Sequence, residues 1–157
     1  MLEKIADFVE KTINRVTVFF FMLIFAVMLS QIFFRYVLNS PLVWTEELCR
    51  YLFTWICFLG WTIALRRKSH ISIVFFIEKL PHSFQKGITL VLQAVIFLFL
   101  IQLFRQGIAM TARSFNVPTI TLFFSYAYVY LAAPLSAAIM LLYSILDCLE
   151  LIRRKQV

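Results

Sequence analysis

Histidine is almost missing from this sequence, and the two that occur, His70 and His82, fall between apolar runs rather than inside one. No His pair is available within a span to hold a haem, and no grouping of His, Cys and carboxylates has metal-ligand spacing. Cysteine is scarce too, with three in the chain. Cys49 and Cys57 stand roughly 12 Å apart in rise on one expected helix, too far for a disulfide. With Cys148 they read as small apolar fillers. No charge falls near the middle of a long apolar run, which argues against a self-contained proton-coupled carrier. No nucleophile–base pair is recognisable either, so the chain is read as a non-enzyme without a cofactor.

Glycine occurs 3 times against 18 phenylalanines, and hydrophobic residues make up 62% of the 157 positions. Mean hydropathy is +0.89. Soluble domains are about half apolar, so the excess points to a membrane. The net charge of +7 does not indicate nucleic acid, because the basic residues flank apolar runs and form no aromatic-interleaved face.

Four runs can cross a bilayer. Residues 16–34 are uncharged between Arg15 and Arg35 and rise roughly 28 Å as a helix, close to a hydrocarbon core of about 30 Å. Residues 51–65 are uncharged between Arg50 and Arg66, and the helix reaches back toward Ser40-Pro41. The third run, 87–104, continues through Arg105 and Gln106, and the fourth, 114–146, includes a turn at Asn116-Val117-Pro118. The expectation is one all-α integral membrane domain over 1–157, with four transmembrane helices at about 3–38, 41–66, 84–113 and 119–150. The first run is too long, and Glu3, Asp7 and Glu10 too acidic, for a signal peptide. Of the 15 Lys and Arg residues, only Arg35, Arg50, Arg105 and Arg113 lie on the side of the two short hairpins. The positive-inside rule then puts both termini in the cytoplasm.

Two further segments read as lying on the membrane. Leu2, Ile5, Ala6, Val9, Ile13 and Val16 recur at helical spacing among charged residues, an amphipathic extension supported by Asp7–Lys11 at i,i+4. Residues 71–80 are apolar but too short to span; they follow a basic run and end at Pro81, as a short interfacial helix would. Arg66, Arg67, Lys68, His70 and Lys79 are the expected cytoplasmic anchors around it. Within the spans, Gln31, Gln93 and Gln102 are expected to hydrogen-bond between helices. Pro134 is expected to kink the fourth helix. Its small face, Ala132, Ala133, Ser136, Ala137 and Ala138, suits either packing within the chain or docking of another protein's helix. Tyr126, Tyr128 and Tyr130 read as an outer aromatic belt.

The stretch NSPLVWTEELCRYLF, residues 39–53, keeps charge between two spans. Pro41 suits a first helical position with Ser40 before it; Thr45 as a later cap is equally compatible. Glu46 and Glu47 fall in the early turns, favoured by the helix dipole, with Arg50 at i,i+4 and i,i+3. Arg35 can snorkel toward the same glutamates, and Trp44 anchors the headgroup level. Arg35, Trp44, Glu46, Glu47, Arg50 and Arg113 thus form a candidate polar cluster, which either pins helix ends or meets a partner protein.

Residues 31–73 resemble a known family. Arg35, then Asn39-Ser40-Pro41, Trp44, Glu46-Glu47, Arg50-Tyr51, Gly60 and the basic run ending at His70 are similar to the small, DctQ-like membrane subunit of tripartite ATP-independent periplasmic (TRAP) transporters. Cys49 stands where that pattern usually has a small residue such as alanine. The resemblance implies a non-catalytic subunit of the bacterial inner membrane, paired with a large multi-spanning subunit that carries the substrate and sodium sites. A periplasmic substrate-binding protein would deliver an organic acid of the dicarboxylate, keto acid or sialic acid class. Transport would be sodium-coupled and secondary active, and the small subunit would enlarge the fixed part of an elevator-type machine. The residues by themselves also fit a stand-alone small oligomeric transporter or channel, or an accessory subunit of another membrane complex.

Overall fold

In a computed structural model, residues 2–67 and 82–153 are described. The expected interfacial segment 71–80, with Lys68, His70 and Lys79, lies outside them. The described chain forms five helices: α1 (Leu2–Tyr36), α2 (Trp44–Arg66), α3 (His82–Arg113), the single turn α4 (Ala127–Tyr130) and α5 (Ala132–Arg153). Four stretches are long and apolar enough to cross a membrane, with α4 and α5 together supplying the fourth.

Helix α1 runs without a break from Leu2, so the residues ahead of the first span belong to the same helix. It ends where Asn39 takes a left-handed backbone (φ 49°), a conformation asparagine tolerates at helix ends, and Pro41 follows. Neither expected start of α2 is realised. The helix begins at Trp44, and the Thr45 hydroxyl donates to the Leu42 carbonyl (2.6 Å) instead of capping. Once Asn39 turns the chain sideways, residues 40–43 are needed to bring it back beside α1.

The α1–α2 hairpin has its register fixed at both ends. Gln31 Nε2 donates to Glu46 Oε1 (3.3 Å), while Arg66 Nε and Arg67 Nε donate to the two oxygens of Glu10 (2.7 and 2.9 Å). Between these ties, residues 10–31 of α1 and 46–66 of α2 each rise roughly 30 Å. That equals the thickness of a hydrocarbon core. Polar contacts are therefore kept at the two rims, and apolar side chains fill the space between.

The helices pack as a row rather than a closed bundle. α1 packs on α2, α2 on α5, and α5 on α3, so α1 and α3 form the two edges. α1 buries almost none of its span inside the protein, whereas the α4–α5 span buries nearly half. Large side chains such as Phe19, Phe21, Met22, Phe25, Val91, Val95 and Leu98 remain exposed. A patch of that extent on a soluble monomer would mark an interaction surface; here it belongs in lipid or against another membrane protein.

The packing is closest around α5, whose span is the most buried of the four. Ala132, Ser136 and Ala137 are fully buried within this chain, so most of the small-residue face serves internal packing. Gln93 crosses from α3 to Ser144 Oγ on α5 (2.9 Å), as expected of the span glutamines, and Gln31 does the same between α1 and α2; Gln102 is exposed. Pro134 lacks the N–H that the Tyr130 carbonyl would accept, and the helix is interrupted just there, at Leu131. A Cβ added at Gly107 would lie 2.8 Å from Pro134 Cδ and 3.0 Å from its nitrogen. Gly107 thus permits the close α3–α5 crossing, whereas Gly60 faces open space. Gly107→Ala is expected to cost about 1–3 kcal/mol through overpacking, seen as a lower melting temperature in mild detergent. Gly60→Ala should leave that temperature unchanged or raise it slightly.

Candidate functional site

Residues 114–126 join α3 to α4 at the same end of the molecule as the α1–α2 turn. The fourth helix was expected from 119, but the chain forms a hairpin loop there. Pro118 and Ser125 make an isolated antiparallel bridge, Thr119 N donates to Phe124 O (2.7 Å) and Tyr126 N to Val117 O (3.0 Å). Ser125 Oγ contacts the Ser114 and Phe115 carbonyls (2.9 and 2.7 Å) and accepts from Ala127 N (3.1 Å), just ahead of α4. The reversal requires Phe123 to adopt a left-handed backbone, φ 58°, unusual for a bulky residue and worth about 1–2 kcal/mol of strain.

A loop of this kind leaves amide groups without helical partners. At Ile120 and Thr121 they are met by Glu47, in the first turn of α2. Glu47 is 9% exposed. Its Oε1 accepts from Ile120 N (3.1 Å) and Tyr51 Oη, and its Oε2 from Thr121 N (2.7 Å) and Thr121 Oγ1. A carboxylate has about four lone-pair directions, so this one is saturated. The Tyr51 ring then packs edge-on against Phe124 and Tyr126, each at 5.7 Å between centroids. Tyr126 stacks on Tyr130 at 6.3 Å. The expected tyrosine belt is partly an internal aromatic cluster with Tyr51 at its centre.

The expected ion pairs at this end do not form. Among the described residues, the salt bridges join Arg66 and Arg67 to Asp7 and Glu10, and neither Glu46 nor Glu47 has a cationic partner. Adjacent helical residues point about 100° apart, so Glu46 turns to Gln31 of α1 while Glu47 turns toward the second hairpin. Fixed amides and two nearby hydroxyls hold a buried carboxylate at less conformational cost than a flexible arginine would. Arg35 instead lies 5.9 Å from the ring of its neighbour Tyr36. Arg50 and Arg113 are exposed. Trp44 lines an apolar cleft of about 370 Å³ with Ala26, Ser30 and Phe34. The six candidates share one end of the molecule without forming one cluster. The residues missed in the sequence are Thr121, Ile120 and Tyr51. Tyr51 stands one helical turn after Glu47, a readable pair, but no local spacing links Glu47 to a loop 73 residues away.

The opposite end carries a second polar knot. Arg66 binds Asp7 and Glu10, and its guanidinium lies 5.0 Å over the Tyr143 ring of α5. Tyr143 Oη in turn donates to Ala6 O (3.4 Å). Asp7 therefore pairs with Arg66 rather than with Lys11, since the bidentate guanidinium reaches both carboxylates while Lys11 stays exposed. Arg66 and Arg67 join helices as well as marking the end of a span.

A row of four apolar helices, tied by polar groups at both rims, is the architecture of a small multi-pass membrane protein. The sequence model of the DctQ component of tripartite ATP-independent periplasmic transporters matches residues 11–154, and the chain belongs to that family. It is 33% identical over 140 residues, 89% of this chain and 79% of the relative, to the sialic acid TRAP transporter small permease protein SiaQ of Vibrio cholerae. It is also 33% identical over 96 residues to the sialic acid TRAP transporter permease protein SiaT of Haemophilus influenzae, covering 61% of this chain and 15% of that protein. A third match, 40% over 43 residues, covers 27% of this chain and 7% of the isethionate TRAP transporter permease protein DctMQ of Oleidesulfovibrio alaskensis. The chain is a small permease protein of the TRAP class.

Two outcomes follow from this geometry. Glu47→Ala strips the acceptor from four donors, of which the Tyr51 hydroxyl is buried and the other three part-buried, and is expected to cost about 1–3 kcal/mol, the range for one orphaned buried donor. Melting in detergent and proteolytic cutting within 118–125 should both register it, with Glu47→Gln intermediate. At the other rim, a double-mutant cycle of Glu10→Gln and Arg66→Gln should give a coupling of about 0.5–3 kcal/mol. Lys11→Gln should stay within about 0.5 kcal/mol of the parent protein.

Proposed function

We propose that this chain is a scaffold subunit: a fixed membrane platform for the large transport subunit of a sodium-coupled TRAP transporter of organic acids. The observation that carries this reading is the open row of helices. Its broad faces stay apolar and exposed, while its internal register is fixed at both rims. A moving transport domain needs a neighbour that resists tilt and vertical slip, and two polar rims roughly 30 Å apart provide that resistance.

The matches to short parts of the longer SiaT and DctMQ permease proteins support association with a larger permease component. The substrates in the relatives' names, sialic acid and isethionate, are both anions, which supports an organic anion as the cargo. The residues that choose among such anions belong to the large subunit and the periplasmic binding protein.

In this reading the chain sits in the bacterial inner membrane with both termini cytoplasmic and the two hairpins periplasmic. Arg66 and Arg67 lie at the cytoplasmic rim, with Lys68, His70 and Lys79 as further anchors there. Glu47 is fully engaged within the chain, so contact with the binding protein falls to Arg35, Trp44, Glu46 and Arg50.

Co-purification of the tagged chain from its native membrane, with mass spectrometry of what remains bound, tests the proposal. The expected result is a stoichiometric large polytopic permease, and sodium-driven uptake in liposomes only when that permease, this chain and the binding protein are combined. Solute flux by this chain alone would replace the scaffold reading with a self-sufficient carrier.

A further inference from the structure

Beside the Gly107–Pro134 crossing, α3 and the α4–α5 segment leave a cleft of about 250 Å³. Leu103, Gly107, Met110 and Ala133 line its apolar part, and Gln106, Tyr130 and Arg113 also line it. Arg113 closes the last turn of α3 and is exposed, with no carboxylate within salt-bridge distance among the described residues. We propose that this cleft holds one phospholipid of the adjacent leaflet, its phosphate on Arg113 and an acyl chain along Leu103, Gly107 and Ala133.

Three features select a lipid over a helix of another protein. First, the cleft is short. Leu103 to Arg113 rises roughly 15 Å, half of a hydrocarbon core of about 30 Å, so it runs from headgroup level to mid-membrane and serves one leaflet. A crossing helix needs contact through both. Second, the cleft ends where α3 and α5 close on each other: Leu100 is 1% exposed and Gln93 bonds to Ser144 below it. Third, the charge is complementary. A guanidinium offers paired N–H donors to phosphate oxygens, and it stands at the mouth above apolar walls, the polarity order of a phospholipid. The tyrosine beside it presents a ring to the chain and a hydroxyl to the interface.

The test is lipid retention by the detergent-purified transporter complex, read by native mass spectrometry after progressive delipidation. The parent protein is expected to keep about one phospholipid per copy of this chain. Arg113→Gln should lower that occupancy about tenfold, the scale of a charge-assisted contact, and Arg113→Lys should retain most of it. Ala133→Phe, which fills the apolar part, should also displace the lipid. Arg35→Gln removes an exposed arginine at the same end but away from the cleft, and should leave retention unchanged. Equal retention in Arg113→Gln and the parent protein overturns the proposal, as does an equal loss in Arg35→Gln. Zero-length carbodiimide coupling of Arg113→Lys to a carboxylate of another subunit would also overturn it, by assigning the cleft to protein. If Ala133→Phe lowers the melting temperature, the arginine variants decide the matter alone.

Discussion

The second hairpin depends on a single carboxylate. Any chain that turns at the edge of a bilayer exposes amides that no helix satisfies, and such groups are costly away from water. Here the amides of Ile120 and Thr121 are bonded to Glu47, on a helix far away in sequence. One charged group therefore settles three matters together. It satisfies the loop, it sets the height of α2 against the α3–α4 connection, and it holds Tyr51 where its ring contacts Phe124 and Tyr126. The left-handed Phe123 is held within the same hairpin, by the paired bonds of Thr119 and Phe124.

The opposite rim follows the same logic with opposite sign. Arg66 and Arg67 collect Asp7 and Glu10 from α1, and the Arg66 guanidinium covers Tyr143 of α5. Between the rims there is little polar contact beyond Gln93 with Ser144, and small residues carry the packing. Without a hydrophobic force between helices in lipid, close approach and rim ties must hold the assembly. They do so pairwise along a row, which leaves two broad apolar faces for lipid and for a partner. The proposed scaffold role rests on that combination of internal fixity and external openness.

Much of the architecture was legible in the sequence because it is periodic and local. Charged residues bracket the spans, so the number of long apolar helices could be read directly, and Pro134 announced its own interruption. The glutamines announced interhelical bonds, realised at Gln31 and Gln93. The family was legible from residues 31–73, where unusual residues recur in fixed order. The candidate site was legible only as a location. Helical spacing pointed Glu46 and Glu47 toward Arg50, since i,i+4 partners are visible in one segment. The actual partner of Glu47 is a loop whose position depends on how α3 and α5 fold back, and nothing around Thr121 signals it. The N-terminal acids misled in the same way: Asp7 and Lys11 are neighbours on one helix, but Arg66 arrives from another and offers a better-shaped donor. The start of the fourth helix was misplaced because residues 119–126 are apolar enough for a span, while their backbone is committed to a hairpin.

Amide hydrogen exchange at Ile120 and Thr121, in the protein held in lipid nanodiscs, tests the central claim most directly. Both residues lie in a loop, where exchange is ordinarily fast. The carboxylate tie predicts slow exchange at these two amides, faster exchange at Leu122 and Phe123, and loss of the protection in Glu47→Ala. Fast exchange at Ile120 and Thr121 in the parent protein would mean that the hairpin is not held by Glu47, and the fixed register of the row would lose its basis at that rim.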